Sequence, residues 1–158
     1  MMTKDRFGLI QPWVSLVMRV AAGLIMIVAG VLKLADLDMS VYAVRSYDIL
    51  PQVLVTPAGY ALPFVEVALG FFLVLGLLTR WVAVFYLLLF AAFIFGTLWV
   101  QARGLEISCG CFGGGGPVPK ADYFGHLRDQ AFFTSLGVWL VFFPKSPFSV
   151  DGWLRPTQ

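Results

Sequence analysis

Three apolar runs dominate this sequence: Trp13 to Leu34, Pro57 to Leu78 and Trp81 to Gln101. Each reaches the ~20 residues that an α-helix needs to cross a ~30 Å hydrocarbon core. A chain that carries three such runs can fold stably only where its backbone is hydrogen-bonded within itself and its outer faces meet lipid. A fourth run, Ala131 to Phe143, has about 13 residues and crosses only if the polar shoulder Phe124 to Gln130 also enters the bilayer. Composition points the same way. The 158 residues are 59% hydrophobic and 13% charged, against about 45–50% and about 25% in soluble domains. So short a chain cannot hide that excess in a core. The expected fold is all-α, an integral membrane four-helix bundle with spans near 13–35, 57–78, 81–101 and 124–143. It forms a single membrane domain over 1–158. The net charge is +2 and no block of like charge occurs. Nothing there points to nucleic acid, so the lipid bilayer is the first partner.

The first run follows Lys4 and Arg6 but is too long for a secretory signal, carries Arg19, and lacks a small-residue cleavage site. It is expected to stay as an anchor. Pro57 suits the first turn of the second helix. Thr79 and Arg80 read as a very short connection, which makes spans two and three antiparallel neighbours. Trp13, Tyr60, Trp81 and Trp99 fall near span ends, as interfacial aromatics do. Basic residues divide almost evenly. Lys4, Arg6, Arg80, Lys145 and Arg155 lie on one side; Arg45, Arg103, Lys120 and Arg128 lie on the other. The expected arrangement is a multi-pass protein with both termini in the cytoplasm.

Two segments then lie outside. Residues 38–50 read as a short interfacial helix capped by Asp38, with Met39, Tyr42, Ser46 and Ile49 at roughly helical spacing. An ordinary connector reads equally well. Residues 103–123 form a Cys/Gly-rich loop, whose four consecutive glycines and two prolines argue against regular structure.

Chemistry concentrates in that loop. Cys109 and Cys111 are the only cysteines and are separated by Gly110. A bridge needs Cα atoms within ~7 Å, so the chain must bend sharply between them, and glycine permits the bend. So tight a ring is expected to be strained and readily reduced. It would stabilise the fold little. A redox-active pair, two inert thiols and a soft-metal site all fit the spacing. A structural zinc site wants four ligands, and His126 is the only histidine.

Ionisable residues inside the spans form a second group, because charge at membrane depth is expensive and seeks a partner. Glu66 lies about nine residues into its span, roughly 13 Å deep at 1.5 Å per residue. Lys33 and Arg128, with Asp129, lie toward the same side, beneath the cysteine loop. Glu66, Lys33 and Arg128 are therefore expected to form a polar cluster that supports Cys109 and Cys111. Arg19 stands alone near the other face. Lys33 and Arg19 can also reach the headgroups by snorkelling. Gly23 with Gly30, and Gly70 with Gly76, read as sites of close helix packing.

Together these residues resemble a known family. Ala29-Gly30-Val31-Leu32-Lys33-Leu34, Leu62-Pro63-Phe64-Val65-Glu66-Val67-Ala68-Leu69-Gly70, Ser108-Cys109-Gly110-Cys111-Phe112-Gly113 and Arg128-Asp129 look like the methylamine-utilisation protein MauE, grouped with DoxX-like four-helix membrane proteins. The resemblance runs from about Trp13 to Phe143. It implies a redox-associated protein of the bacterial inner membrane that supports maturation of the disulfide-rich small subunit of methylamine dehydrogenase. It also implies a periplasmic thioredoxin-like partner or client, with Cys109 and Cys111 exchanging disulfides. No cofactor is fixed by the residues, and a bilayer quinone is one electron acceptor suggested by analogy of architecture with quinone-linked disulfide generators. Those use two cysteine pairs, whereas this chain has one. Two other function classes stay open: a soft-metal-ion binder or transporter, and a non-catalytic anchor for a redox complex.

Overall fold

A computed structural model describes residues 2–154. Arg155 lies outside the described residues, as do the side chains of Lys4 and Arg6. Four long helices form: α1 (Met2–Leu34), α3 (Gln52–Leu75), α4 (Thr79–Ala102) and α5 (Tyr123–Phe142). Two shorter ones, α2 (Leu37–Ser46) and α6 (Val150–Leu154), complete the helical set among the described residues. Three helices are long and apolar enough to cross a membrane, spanning Gly8–Leu34, Gln52–Leu75 and Thr79–Ala102. α5 has 20 residues, about 30 Å at 1.5 Å per residue. His126, Arg128, Asp129 and Gln130 make its first half polar. It packs against α4 and α1. The protein is an all-α membrane protein.

The long helices close in the order α1, α3, α4, α5 and back to α1. Ala22, Met26, Leu73, Ala83, Tyr86, Phe90, Leu136 and Leu140 fill the centre. Outward positions are apolar as well: Val28, Phe71, Phe85, Leu88 and Phe132 all stand exposed. Apolar residues on both the inside and the outside are what a bundle in lipid requires. Trp13 and Trp81 are exposed at one end, and Tyr60 and Trp99 at the other.

α1 and α3 approach most closely. A Cβ on Gly23 would lie 2.8 Å from the Gly70 carbonyl oxygen, and one on Gly30 would lie 2.8 Å from that of Pro63. Hydrogen alone fits at these points, so the two backbones touch. Gly76 is closely packed as expected, since a Cβ there would collide with the Arg19 guanidinium of α1 and lie 2.8 Å from Ser149 Cβ, and it has a second role. It ends α3 in the left-handed conformation, with φ 67°, a position that glycine fills without steric cost.

Several boundaries differ from those the sequence suggests. α3 starts at Gln52, so Pro57 and Pro63 lie inside it rather than at its first turn. Their missing N–H groups are tolerated because nearby groups in a bundle can satisfy the freed carbonyls. Thr79 and Arg80 belong to α4, and residues 76–78 make the connection. Asp36, not Asp38, caps α2 by accepting from the Met39 N–H at 2.9 Å. α2 ends at Ser46, before Asp48 adopts φ 51°. It is docked rather than free: Ser40 Oγ donates to the Gly59 carbonyl at 2.8 Å.

The Cys/Gly-rich segment also differs from expectation. β1 (Ile107–Ser108) pairs antiparallel with β2 (Gly116–Pro117), in register Ile107 with Pro117 and Ser108 with Gly116. The glycines end up in the hairpin tip, where Gly110, Gly113 and Gly114 take positive φ. They permit the turn instead of abolishing the strands.

Arg19 is not alone. It is 1% exposed, and its Nη1 donates to Ser146 Oγ at 2.9 Å while Nη2 donates to the Phe148 carbonyl at 3.1 Å. The segment after α5 folds back to meet it. There Asp151 accepts from the Leu78 and Thr79 N–H groups, both at 2.8 Å, and caps α4.

Candidate functional site

The hairpin tip sits over the end of the bundle formed by the C-termini of α1 and α4 and the N-termini of α3 and α5. Cys109 and Cys111 are joined as a disulfide with Cα atoms 5.4 Å apart. Gly110 between them has φ 66°. A Cβ there would come 2.9 Å from the Gly115 Cα. The turn therefore excludes a side chain on both conformational and steric grounds.

Below it lies the ion pair expected from the buried charges. Lys33 Nζ is 2.5 Å from Glu66 Oε1, with the two side chains 5% and 1% exposed. Lys33 sits in the last turn of α1, where the helix dipole favours a cation. Its Nζ also donates to the Cys111 carbonyl at 3.0 Å and lies 5.4 Å from the centre of the Phe93 ring. The pair therefore ties three elements together: α1, α3 and the cysteine loop. Glu66 Oε2 is buried without a hydrogen-bond partner among the described residues.

Arg128 does not join this cluster. Its side chain is 70% exposed and pairs with neighbouring Asp129 at 3.0 Å. Gln130 takes the inward position instead. It is 2% exposed. Its Nε2 lies 3.1 Å from Cys109 Sγ, 3.7 Å from Cys111 Sγ and 3.0 Å from Thr97 Oγ1. Residues two apart on a helix are separated by about 200° and cannot share a face. Burying Gln130 therefore turns Arg128 outward.

Tyr47 supplies another hold. Its hydroxyl donates to the Cys109 carbonyl at 2.9 Å. Burial pushes that hydroxyl up to about 12, so it remains a donor at neutral pH. The disulfide is thus fixed from three directions: Lys33 on the Cys111 carbonyl, Tyr47 on the Cys109 carbonyl and Gln130 on the sulfurs. Sequence reasoning missed Gln130, Tyr47 and Thr97. An uncharged amide in a membrane helix is the signal that could have marked Gln130.

Behind Cys109 a cavity of about 310 Å³ opens between α2, α3 and α4. Val44, Leu62, Leu89 and Phe93 line it, with Lys33 and Tyr47 at its polar edge. It falls at the lower end of the ~300–1,000 Å³ range of small-molecule sites. Among the described residues, no three His, Cys, Asp or Glu side chains gather as a metal site.

This arrangement of lysine, glutamate and Cys-Gly-Cys loop lies within residues 11–143, which match the family model described as methylamine utilisation protein MauE. The chain belongs to the MauE family. The match takes in α1 from residue 11 onward, α3, α4, α5 and the hairpin, so the whole site lies inside the MauE region. No curated protein and no solved structure matches the chain. Family and fold together make it a membrane protein linked to methylamine utilisation.

Proposed function

We propose that this MauE-family protein is a thiol–disulfide oxidoreductase of the bacterial inner membrane that serves maturation of periplasmic proteins. The observation that carries this reading is the joined Cys109–Cys111 pair, held at the end of the bundle by Lys33, Tyr47 and Gln130. A pair that only stapled the fold would close a longer loop, since stabilisation grows with loop length. In this reading both termini are cytoplasmic and the hairpin faces the periplasm, where disulfides persist.

The exchange balances as follows. A thiolate of a thioredoxin-like partner, or of its client, attacks one sulfur of the pair. The Cys109–Cys111 bond breaks, a mixed disulfide forms, and the other cysteine leaves as a thiolate. A second partner thiol loses its proton and attacks the mixed disulfide. The bound cysteine leaves as a thiolate, the partner departs oxidised by two electrons, and the two protons given up by the partner thiols end on Cys109 and Cys111, leaving this chain as a dithiol. A membrane quinone is the acceptor class that would restore the bridge. The apolar cavity bordered by Cys109, Phe93, Lys33 and Tyr47 has room for its ring. Glu66 and Lys33 hold the loop and set the local field.

The test is the double variant Cys109→Ser/Cys111→Ser expressed in cells at the native level. The redox state of periplasmic thiol proteins is read by alkylation and gel shift. Accumulation of reduced thiols in the partner or its client is the expected result. Unchanged oxidation would remove the exchange role and leave an anchoring one.

A further inference from the structure

The two sulfurs do not stand in equivalent surroundings. Cys109 is 9% exposed, while Cys111 is half-buried. Cys109 also borders the cavity between α2, α3 and α4, which Cys111 does not line. Gln130 adds a chemical difference. Its amide nitrogen stands at 3.1 Å from Cys109 Sγ and 3.7 Å from Cys111 Sγ.

The orientation of that amide is set by Thr97. Thr97 Oγ1 donates its hydrogen to the Phe93 carbonyl at 3.0 Å, so toward Gln130 it can only accept. The amide presents one N–H to Thr97 and its second to sulfur. Gln130 Oε1 is buried and has no hydrogen-bond partner among the described residues. The protein thus leaves an acceptor unsatisfied while aiming a donor at a disulfide sulfur, a weak acceptor. The bond becomes strong only when the sulfur carries negative charge.

We propose that the Cys109–Cys111 bond opens in one direction: an incoming thiolate bonds to Cys111 Sγ, and Cys109 leaves as a thiolate held by the Gln130 amide. This rests on the exchange reading above and adds which sulfur the partner meets. The S–S bond breaks, its electron pair stays on Cys109 Sγ, and a new bond joins Cys111 Sγ to the incoming sulfur. Gln130 touches a reacting atom and acts as a catalytic residue by stabilising the leaving thiolate, since a leaving thiol of lower pKa departs faster. The donor is preorganised in a water-poor setting, where it counts for more than it would in water. Tyr47 keeps the Cys109 backbone in place while the bond opens.

The experiment uses the full-length oxidised protein in membranes, with reduced glutathione as the probe. The reaction is quenched in acid at early times, free thiols are alkylated, and the adducts are mapped by mass spectrometry. The expected product carries glutathione on Cys111 and the alkyl group on Cys109, in excess of the reverse by about tenfold or more. This measurement needs no substitution. Gln130→Leu is expected to slow adduct formation about 10- to 100-fold, the range of one hydrogen bond to a charged group. In a Cys111→Ser background the same change is expected to move alkylation of Cys109 to higher pH, which a purely structural role would not do. Glutathione mainly on Cys109, or equally on both, would overturn the proposal and leave the exchange reading intact. Failure of both sulfurs to react in the folded protein, with reaction after denaturation, would overturn the exchange reading itself.

Discussion

At the scale of single residues, the account turns on Lys33 and Glu66. They are a buried pair within two membrane-capable helices, where removing one partner strands the other as an uncompensated charge or forces it neutral. Lys33→Met and Glu66→Gln are each expected to destabilise the protein by about 3–5 kcal/mol. The double variant Lys33→Met/Glu66→Met is expected to recover most of that loss, because it leaves no stranded charge. Thermal unfolding in detergent measures the three, and a double variant no better than the singles would show that the pair is not coupled. This pairing was legible in the sequence because buried charge is so costly that a partner can be inferred from depth alone. Arg128 misled for the opposite reason. It lies at the right height, but height does not fix rotation about the helix axis, and Gln130 claims the inward face. Gln130 itself went unread because an amide carries no charge to betray it.

At the scale of elements, the α1–α3 contact carries the site, since it sets Lys33 opposite Glu66. That contact rests on glycine. Gly30→Val is expected to destabilise by about 1–3 kcal/mol through overpacking, because even its Cβ would lie 2.8 Å from the Pro63 carbonyl oxygen. Gly8→Ala has nothing among the described residues within 4 Å of the added Cβ and, lying inside α1, is expected to stabilise by about 0.5–1 kcal/mol. Equal melting temperatures for Gly30→Val and the unmodified chain would contradict this packing. The glycine spacing marked positions of close helix packing, but not that α1 meets α3 there. The hairpin was less visible, because a glycine-rich stretch looks irregular until the two short flanking segments find each other. The docking of α2 was hidden too, since it depends on Gly59, where a Cβ would lie 2.6 Å from the Val41 Cα. Local signals in α2 mark only its cap, and misplace that by two residues.

At the scale of the whole molecule, one end of the bundle carries the disulfide hairpin and the other is closed by the segment after α5, held by Arg19 and Asp151. The apolar outer faces were evident from run length and composition, because lipid imposes so simple a demand. The side of the membrane on which each end lies was not, since the basic residues divide almost evenly. The central claim is that an oxidised Cys109–Cys111 pair faces the periplasm, and labelling tests it most directly. Intact cells, with the outer barrier opened to the reagent, are treated with a membrane-impermeant thiol label before and after reduction. Labelling of Cys109 and Cys111 that appears only after reduction is the predicted result. Labelling without reduction, or labelling that requires the inner membrane to be broken, would contradict the account.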